Sequence, residues 1–259
     1  AWNEMRREAL DKLLEKRSEP APLATKEITL PEYAEHEVGM IPQLAARFET
    51  AAQLPGAEYL AKLRYLILPI READAVPQPL RCKTLLELPR AAFGTVEPDT
   101  MRRLAALEGS GFAGVVANNL AQFGYASPLP VFGGLGLNVT NPMSAAEYVC
   151  LGACGLLVQP ETALTAMRAV APRQKDGTPV PTAALCYGHL PLMLTRACPL
   201  RNVRTSCAGC THKGKLRDRK GRDFPVRCSA PGSAGMRTVF NPVLWPPAPD
   251  ADPRLPAAQ

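Results

Sequence analysis

From about residue 43 the chain repeats one pattern: a short apolar run, a polar residue at its end, then a stretch with helical periodicity. The apolar runs fall at 44–50, 64–70, 83–88, 114–119, 131–141, 155–159 and 183–188. Helix-like pieces at 56–63, 98–108, 144–151 and 161–170 separate them. Strands that alternate with helices predict βαβ units and a parallel sheet. Seven such runs, with an eighth expected in the segment after residue 195, predict a closed (β/α) TIM-barrel-like α/β domain over 43–195. An open doubly wound sheet is the alternative.

Ahead of this domain, residues 2–17 read as a helix, with Met5, Leu10, Leu13 and Leu14 at helical spacing and Pro20 and Pro22 ending it. Residues 1–42 thus form an N-terminal helix and connector, read as the tail of a preceding domain. A Pro-rich tail occupies 246–259.

A barrel places its site at the C-terminal ends of the strands. The polar residues there are Arg47, Glu49, Arg71, Glu87, Arg90, Asn118, Asn138, Thr140, Asn141, Gln159, Glu161, Tyr187 and His189. Asn138, Glu161 and His189 are the catalytic candidates. Taken singly, each residue also suits a cap or a turn, as Asn141 and Ser144 would. Several sites are missing. The chain has no His-Glu-x-x-His, no Gly-x-Ser-x-Gly elbow and no phosphate-binding Gly-x4-Gly-Lys-Ser/Thr loop. Gly133-Gly134-Leu135-Gly136 lacks dinucleotide spacing and reads as strand and turn. A Cys186–His189 pair has nothing beside it that points to nucleophilic catalysis.

Composition narrows the class. Apolar residues at 46% and charged residues at 21% are ordinary for a globular protein. No apolar run approaches the ~20 residues that span a bilayer, and a charged N-terminus predicts a cytoplasmic chain. Of eight cysteines, Cys82, Cys150, Cys154 and Cys186 sit in apolar contexts and read as core thiols. The other four form the pattern Cys198-x8-Cys207-x2-Cys210-x17-Cys228. A Cys-x2-Cys pair lets two thiolates approach one ion from a tight turn, and two outlying cysteines complete a four-sulfur set. Zn²⁺ and a [4Fe–4S] cluster both use such a set. The missing second knuckle leans towards the cluster, and His212 reads as an exposed turn residue.

Charge falls on the same segment. Between Arg196 and Arg227 ten Lys/Arg stand against two Asp, a local +8 in a chain of net +6. Residues 196–245 therefore read as a basic, metal-binding module. Arg201, Arg204, Lys213, Lys215, Arg217, Arg219 and Lys220 are its candidate RNA contacts, since Lys/Arg that neutralise phosphates bind nucleic acid without regard to sequence. Part of this charge also offsets the thiolates.

Four stretches carry a resemblance to a known family. They are Tyr187-Gly-His-Leu-Pro-Leu-Met-Leu-Thr-Arg-Ala-Cys198-Pro, Cys207-Ala-Gly-Cys210, Leu216-Arg-Asp-Arg-Lys-Gly-Arg-Asp-Phe-Pro-Val-Arg-Cys228 and Val239-Phe-Asn-Pro. Together with Gly136-Leu-Asn-Val-Thr-Asn141 and Gly155-Leu-Leu-Val-Gln-Pro-Glu161, they resemble the collagenase-like peptidase family U-32 over roughly residues 43–245. The opening Asn3-Glu-Met-Arg-Arg-Glu-Ala-Leu10 is similar to the end of an intervening domain in long members. The resemblance implies either peptidase activity or oxygen-independent hydroxylation of RNA bases (ribosomal or transfer RNA) by an iron–sulfur protein. In the RNA group prephenate is the implied hydroxyl source. The family's four cluster cysteines carry over onto Cys198, Cys207, Cys210 and Cys228, and preceding domains of the same chain are implied partners. One departure is clear. Many hydroxylase members carry a ligand cysteine where this chain reads Leu190-Pro191-Leu192. A third reading, from the residues alone, is a non-catalytic RNA-binding or scaffold module with structural zinc.

Overall fold

The computed structural model describes residues 2–19, 42–125, 127–202, 206–229 and 236–245. The chain divides into two compact units, Ala1–Glu32 and Tyr33–Gln259. The first contains α1 (Trp2–Ser18), which has no buried residue and carries a Lys12–Glu8 ion pair of 2.8 Å one turn apart. The expected connector (20–41) and tail (246–259) lie outside the described residues.

The second unit begins with β1 (Leu44–Arg47), α2 (Ala57–Ala61), β2 (Leu63–Pro69), α3 (Gln78–Arg81) and β3 (Thr84–Glu87). It continues through α4 (Val96–Ala105), β4 (Gly114–Ala117), β5 (Val131–Gly133), α5 (Pro142–Cys150), β6 (Ala153–Val158), α6 (Leu164–Ala169) and β7 (Thr182–Ala184). The seven strands form one sheet in the order β1-β2-β3-β4-β5-β6-β7, and every neighbouring pair is parallel. Each of the seven expected runs contains or overlaps one of these strands. Sequential order makes every crossover step the same way, and right-handed crossovers then curl the sheet with its helices on one face. The result is an α/β fold. Among the described residues β7 does not pair with β1, so the sheet has two edges.

Burial explains the order. The strands near the middle, β3 and β4, are buried almost end to end, as strands covered on both faces must be. The outermost strand β1 is mostly exposed. One core cluster joins Leu68, Leu86, Leu88 and Val115 to Leu104 of α4 and Phe112. A second joins Val139, Leu156 and Val158 to Ala145 of α5.

Two expectations need correction. The run at 131–141 is not one strand: β5 stops at Gly133, and a 3-10 turn (Leu135–Leu137) follows. Asn138 then takes a left-handed conformation (φ 54), after which Val139 bridges Val158. The segment beyond residue 187 supplies no eighth parallel strand among the described residues. It forms a separate antiparallel sheet from β8 (Gly188–Thr195), β9 (Lys213–Arg217), β10 (Asp223–Cys228) and β11 (Arg237–Trp245), in the order β8-β11-β10-β9. β8 precedes the expected boundary at 195 yet pairs with β11. Its hydrogen bonds run to a strand more than forty residues away, which local periodicity does not reveal.

The four cysteines expected in the core are also corrected. Cys82, Cys150, Cys154 and Cys186 are all exposed. Cys82 and Cys150 sit at helix ends, Cys154 faces outward from β6, and Cys186 lies in the link between the two sheets. Among the described residues no helix is long and apolar enough to cross a membrane.

Candidate functional site

At the C-terminal ends of β1 to β4 the expected polar ring becomes a network. Arg47 donates through Nε to Glu87 (2.7 Å) and through Nη1 to Glu49 (3.1 Å). Arg71 donates to the other oxygen of Glu49 and lies 3.8 Å from Glu72. Burial works against the Arg47 charge, but Glu87 and then Glu49 outweigh it and raise its pKa. Among the described residues Arg90 has no such ion-pair partner. Burial lowers its pKa, Glu87 opposes that only in part, and Arg47 adds to the lowering.

Asn118 ties this network to the next strand. Its Nδ2 donates to Leu88 O (3.1 Å) and Glu87 Oε1 (3.4 Å), and its Oδ1 accepts from the Gly136 amide (3.3 Å). Gln122, which is 1% exposed, accepts from the Asn118 amide at 2.6 Å and donates to Pro89 O at 2.7 Å. Gly136 is required here because a Cβ on it would stand 2.1 Å from Asn118 O, inside any van der Waals contact.

The cysteines lie on the small sheet. β8 ends at Thr195 opposite Arg237, β10 ends at Cys228 opposite the same Arg237, and Cys210 stands just before β9. The Cys228 amide donates to His212 O (2.9 Å), and the Cys210 amide to Cys207 O (3.1 Å). The topology thus sets all four cysteines at one end of the sheet. β8 and β9 are its opposite edges, yet Leu200, two residues past Cys198, lies over Gly214 of β9. A Cβ on Gly214 would meet Leu200 Cδ2 at 2.3 Å. Each of the four cysteines is partly exposed. Among the described residues, no three or more His, Cys, Asp or Glu are gathered as metal ligands.

Arg196 links the two regions. The Arg196 guanidinium lies 5.5 Å from the centre of the Phe93 ring, in the loop after β3, and Arg196 O accepts from Arg237 Nη1 (2.7 Å). The loop that carries Arg90 and the loop that carries Cys198 therefore touch.

The basic candidates separate into a face and a turn. Lys213, Lys215 and Arg217 are exposed on alternate positions of β9, and Arg227 joins them because it pairs with Lys213. Gly214, Leu216 and the buried Val226 point the other way. Asp223 accepts from Arg217 (2.7 and 3.0 Å) and Lys215 (2.6 Å), and these bonds, Arg217 first, hold its carboxyl well below the usual carboxylate range. Arg219 and Lys220 sit in the β9–β10 turn, which Asp218 closes by accepting from the Lys220 (2.8 Å) and Arg222 (2.9 Å) amides. Arg201 falls in the 3-10 turn Pro199–Asn202, and Arg204 lies outside the described residues.

The catalytic candidates take separate places. Asn138 is the left-handed residue that ends the 3-10 turn. Glu161 is exposed in the turn after β6. His189 is exposed at the start of β8, where its Nδ1 is 2.7 Å from Asn241 O, and so belongs to the small sheet rather than to a parallel strand end. Asn141 caps α5 by accepting from the Ser144 amide at 2.9 Å. Sequence reasoning missed Phe93, Gln122, Arg196 and Arg227. Only Arg227 left a signal, as the exposed partner of an alternating Lys/Arg strand. Comparison with family models, with curated proteins and with solved structures finds no match to this chain.

Proposed function

We propose that this chain is an iron–sulfur RNA-modifying protein of the U-32 type, with its parallel sheet forming most of a (β/α) barrel. The observation that carries the reading is the Phe93–Arg196 contact, which brings the cysteine end of the small sheet against the strand-end loops. Cys198, Cys207, Cys210 and Cys228 would hold a [4Fe–4S] cluster, which supplies one-electron chemistry when bound. Lys213, Lys215, Arg217 and Arg227 hold the phosphate backbone of an RNA, and the packed opposite face keeps this face in place. A base presented from there reaches the strand-end polar ring, where Glu87 and Asn118 offer hydrogen bonds. The hydroxyl source, prephenate in the resemblance, would occupy the same ring.

A zinc-binding RNA module is the second reading. The tight Cys207–Cys210 turn, with Gly209 at φ 66, is the local geometry a zinc knuckle uses. Protein purified without oxygen separates the two. About four iron and four sulfide per chain support the cluster. One zinc without sulfide moves the protein to the second reading. Absence of both iron and zinc, with no RNA retained on filters at low salt, defeats both.

A further inference from the structure

The two ends of the parallel strands differ in how their cations are neutralised. At the C-terminal ends Arg47 and Arg71 meet Glu49, Glu87 and Glu72. At the starts of β2 and β3 stand Lys62, Arg64 and Lys83, and none of these forms an ion pair within 4.0 Å among the described residues. Lys83 Nζ donates to Leu60 O, which brings it against the loop that carries Lys62. Lys62 and Arg64 are exposed, and Glu58 sits at the opposite end of α2. Like charges gathered without a carboxylate repel one another and favour an anionic partner.

The backbone directs these charges to one place. Leu44 pairs with Leu63 and Ala45 with Tyr65, so Arg64 is the extra residue of a bulge in β2. A bulge re-aims its side chain, and bulges gather at sheet edges and barrel rims. Lys62 and Arg64 line one wall of an open groove of about 410 Å³, and residues 42–44, which lead into β1, line the other. Among the described residues β1 pairs only with β2, and Leu44 and Ala45 are exposed along it. The edges of the small sheet are guarded, β8 by Pro191 and β9 by Lys213 and Lys215. β1 has Ala45 and Ala46 instead, and its Arg47 is held by Glu87 and Glu49. An unguarded edge offers a row of backbone donors and acceptors to an extended chain.

We infer that this groove docks an extended, acidic segment of another protein, which adds as a strand to the open edge of β1 while its carboxylates meet Lys62 and Arg64. Main-chain hydrogen bonds supply the affinity, and the cations select an acidic sequence. A nucleic acid fits less well. The Lys62 ammonium lies 5.7 Å from the centre of the Tyr59 ring and the Arg64 guanidinium 5.2 Å from that of Tyr65. The cations thus cover the aromatic faces on which bases would stack. The groove lies at the opposite ends of the strands from the polar ring. Neither RNA nor a metal enters it, so the inference stands independently of the proposed function.

The test is fluorescence anisotropy of labelled peptides with the full chain. A short peptide of alternating Glu and Thr should bind saturably, and more weakly as salt rises, while its Lys and Thr counterpart should not bind. Lys62→Gln with Arg64→Gln should weaken the acidic peptide about tenfold or more. Arg102→Gln with Arg103→Gln, on α4, should leave its affinity unchanged. The pairing is read on the parent protein, with two acidic peptides N-methylated at alternate amides. The one methylated on the side facing β1 should lose binding, and the one methylated on the other side should keep it. Equal binding of the two overturns strand addition, and an unchanged affinity in the double Gln variant overturns the groove. Binding of an oligouridylate that the same variant loses would make this a nucleic-acid surface, and likewise overturns the inference.

Discussion

Arg196 and Phe93, 103 positions apart in sequence, meet with the guanidinium 5.5 Å from the ring centre and so connect the small antiparallel sheet to a loop of the parallel one. Both residues are substantially exposed, so the contact is worth about 0.5–1 kcal/mol. A double-mutant cycle of Arg196→Ala and Phe93→Leu, followed by urea denaturation, should return a coupling of that order. Strict additivity would mean that the two sheets are held together elsewhere.

Cys198→Ser, Cys207→Ser, Cys210→Ser and Cys228→Ser should each lower the iron and sulfide of anaerobically purified protein by more than half. Cys82→Ser and Cys154→Ser should leave both unchanged, because those thiols are exposed on other elements. Metal analysis of the six variants checks this. Equal loss across all six would mean non-specific iron.

On the basic face, charge changes of opposite sign should act oppositely. Replacing Lys213, Lys215, Arg219 and Lys220 with Ala should weaken RNA binding across sequences and flatten its dependence on salt. Asp223→Asn releases Lys215 and Arg217, so it should tighten binding and steepen that dependence. Filter binding from low to high salt measures both. The Asp223 carboxyl has a depressed folded pKa, so its ion pairs persist above the ordinary carboxylate range and are lost only as pH falls below it. RNA affinity measured between pH 5 and pH 7 should therefore not respond to this group.

Gly136→Ala should destabilise the larger unit by about 2–4 kcal/mol, because the new methyl meets backbone oxygen and not a side chain that could swing away. Urea midpoints at an unchanged slope would report it. A change below about 0.5 kcal/mol would mean that the 3-10 turn slides freely off Asn118.

Tyr125 is pushed up to about 12 by burial and by its 2.9 Å hydrogen bond to Glu97. Its phenol is protonated in the folded chain, and the stability it adds is present below pH 10 and lost as pH rises through 12. Ultraviolet titration should show one tyrosine ionising late, and Glu97→Ala should return it towards 10.

The parallel sheet was legible because buried parallel strands read as continuous apolar runs, such as Gly114–Ala117. The small sheet was not. Pro191, Pro225 and Pro242 lie inside its strands and read as breakers, and the Lys-rich alternation of β9 reads as a solvated loop. Cys154 misled for a related reason: it stands in an apolar run, but at the position that alternates outward. Arg47, Glu49, Glu87, Arg90 and Asn118 were recognisable as a ring of strand ends. Which arginine each glutamate would take was not, because pairing depends on curvature and on the loops. The leftover charge of Arg90 is visible only once those pairs are known.

The order β8-β11-β10-β9 also has a consequence for assembly during synthesis. Each parallel strand finds its neighbour already made, so that sheet can grow as the chain emerges. β8 cannot, because its neighbour β11 comes last of the described strands. Until residues 237–245 leave the ribosome, β9 and β10 are a two-stranded hairpin, marginal by itself in water, and β8 has no strand to pair with. Among the described strands, the cysteines therefore reach their common end last. Any metal would then reach the four cysteines only after the strand-end face is already formed.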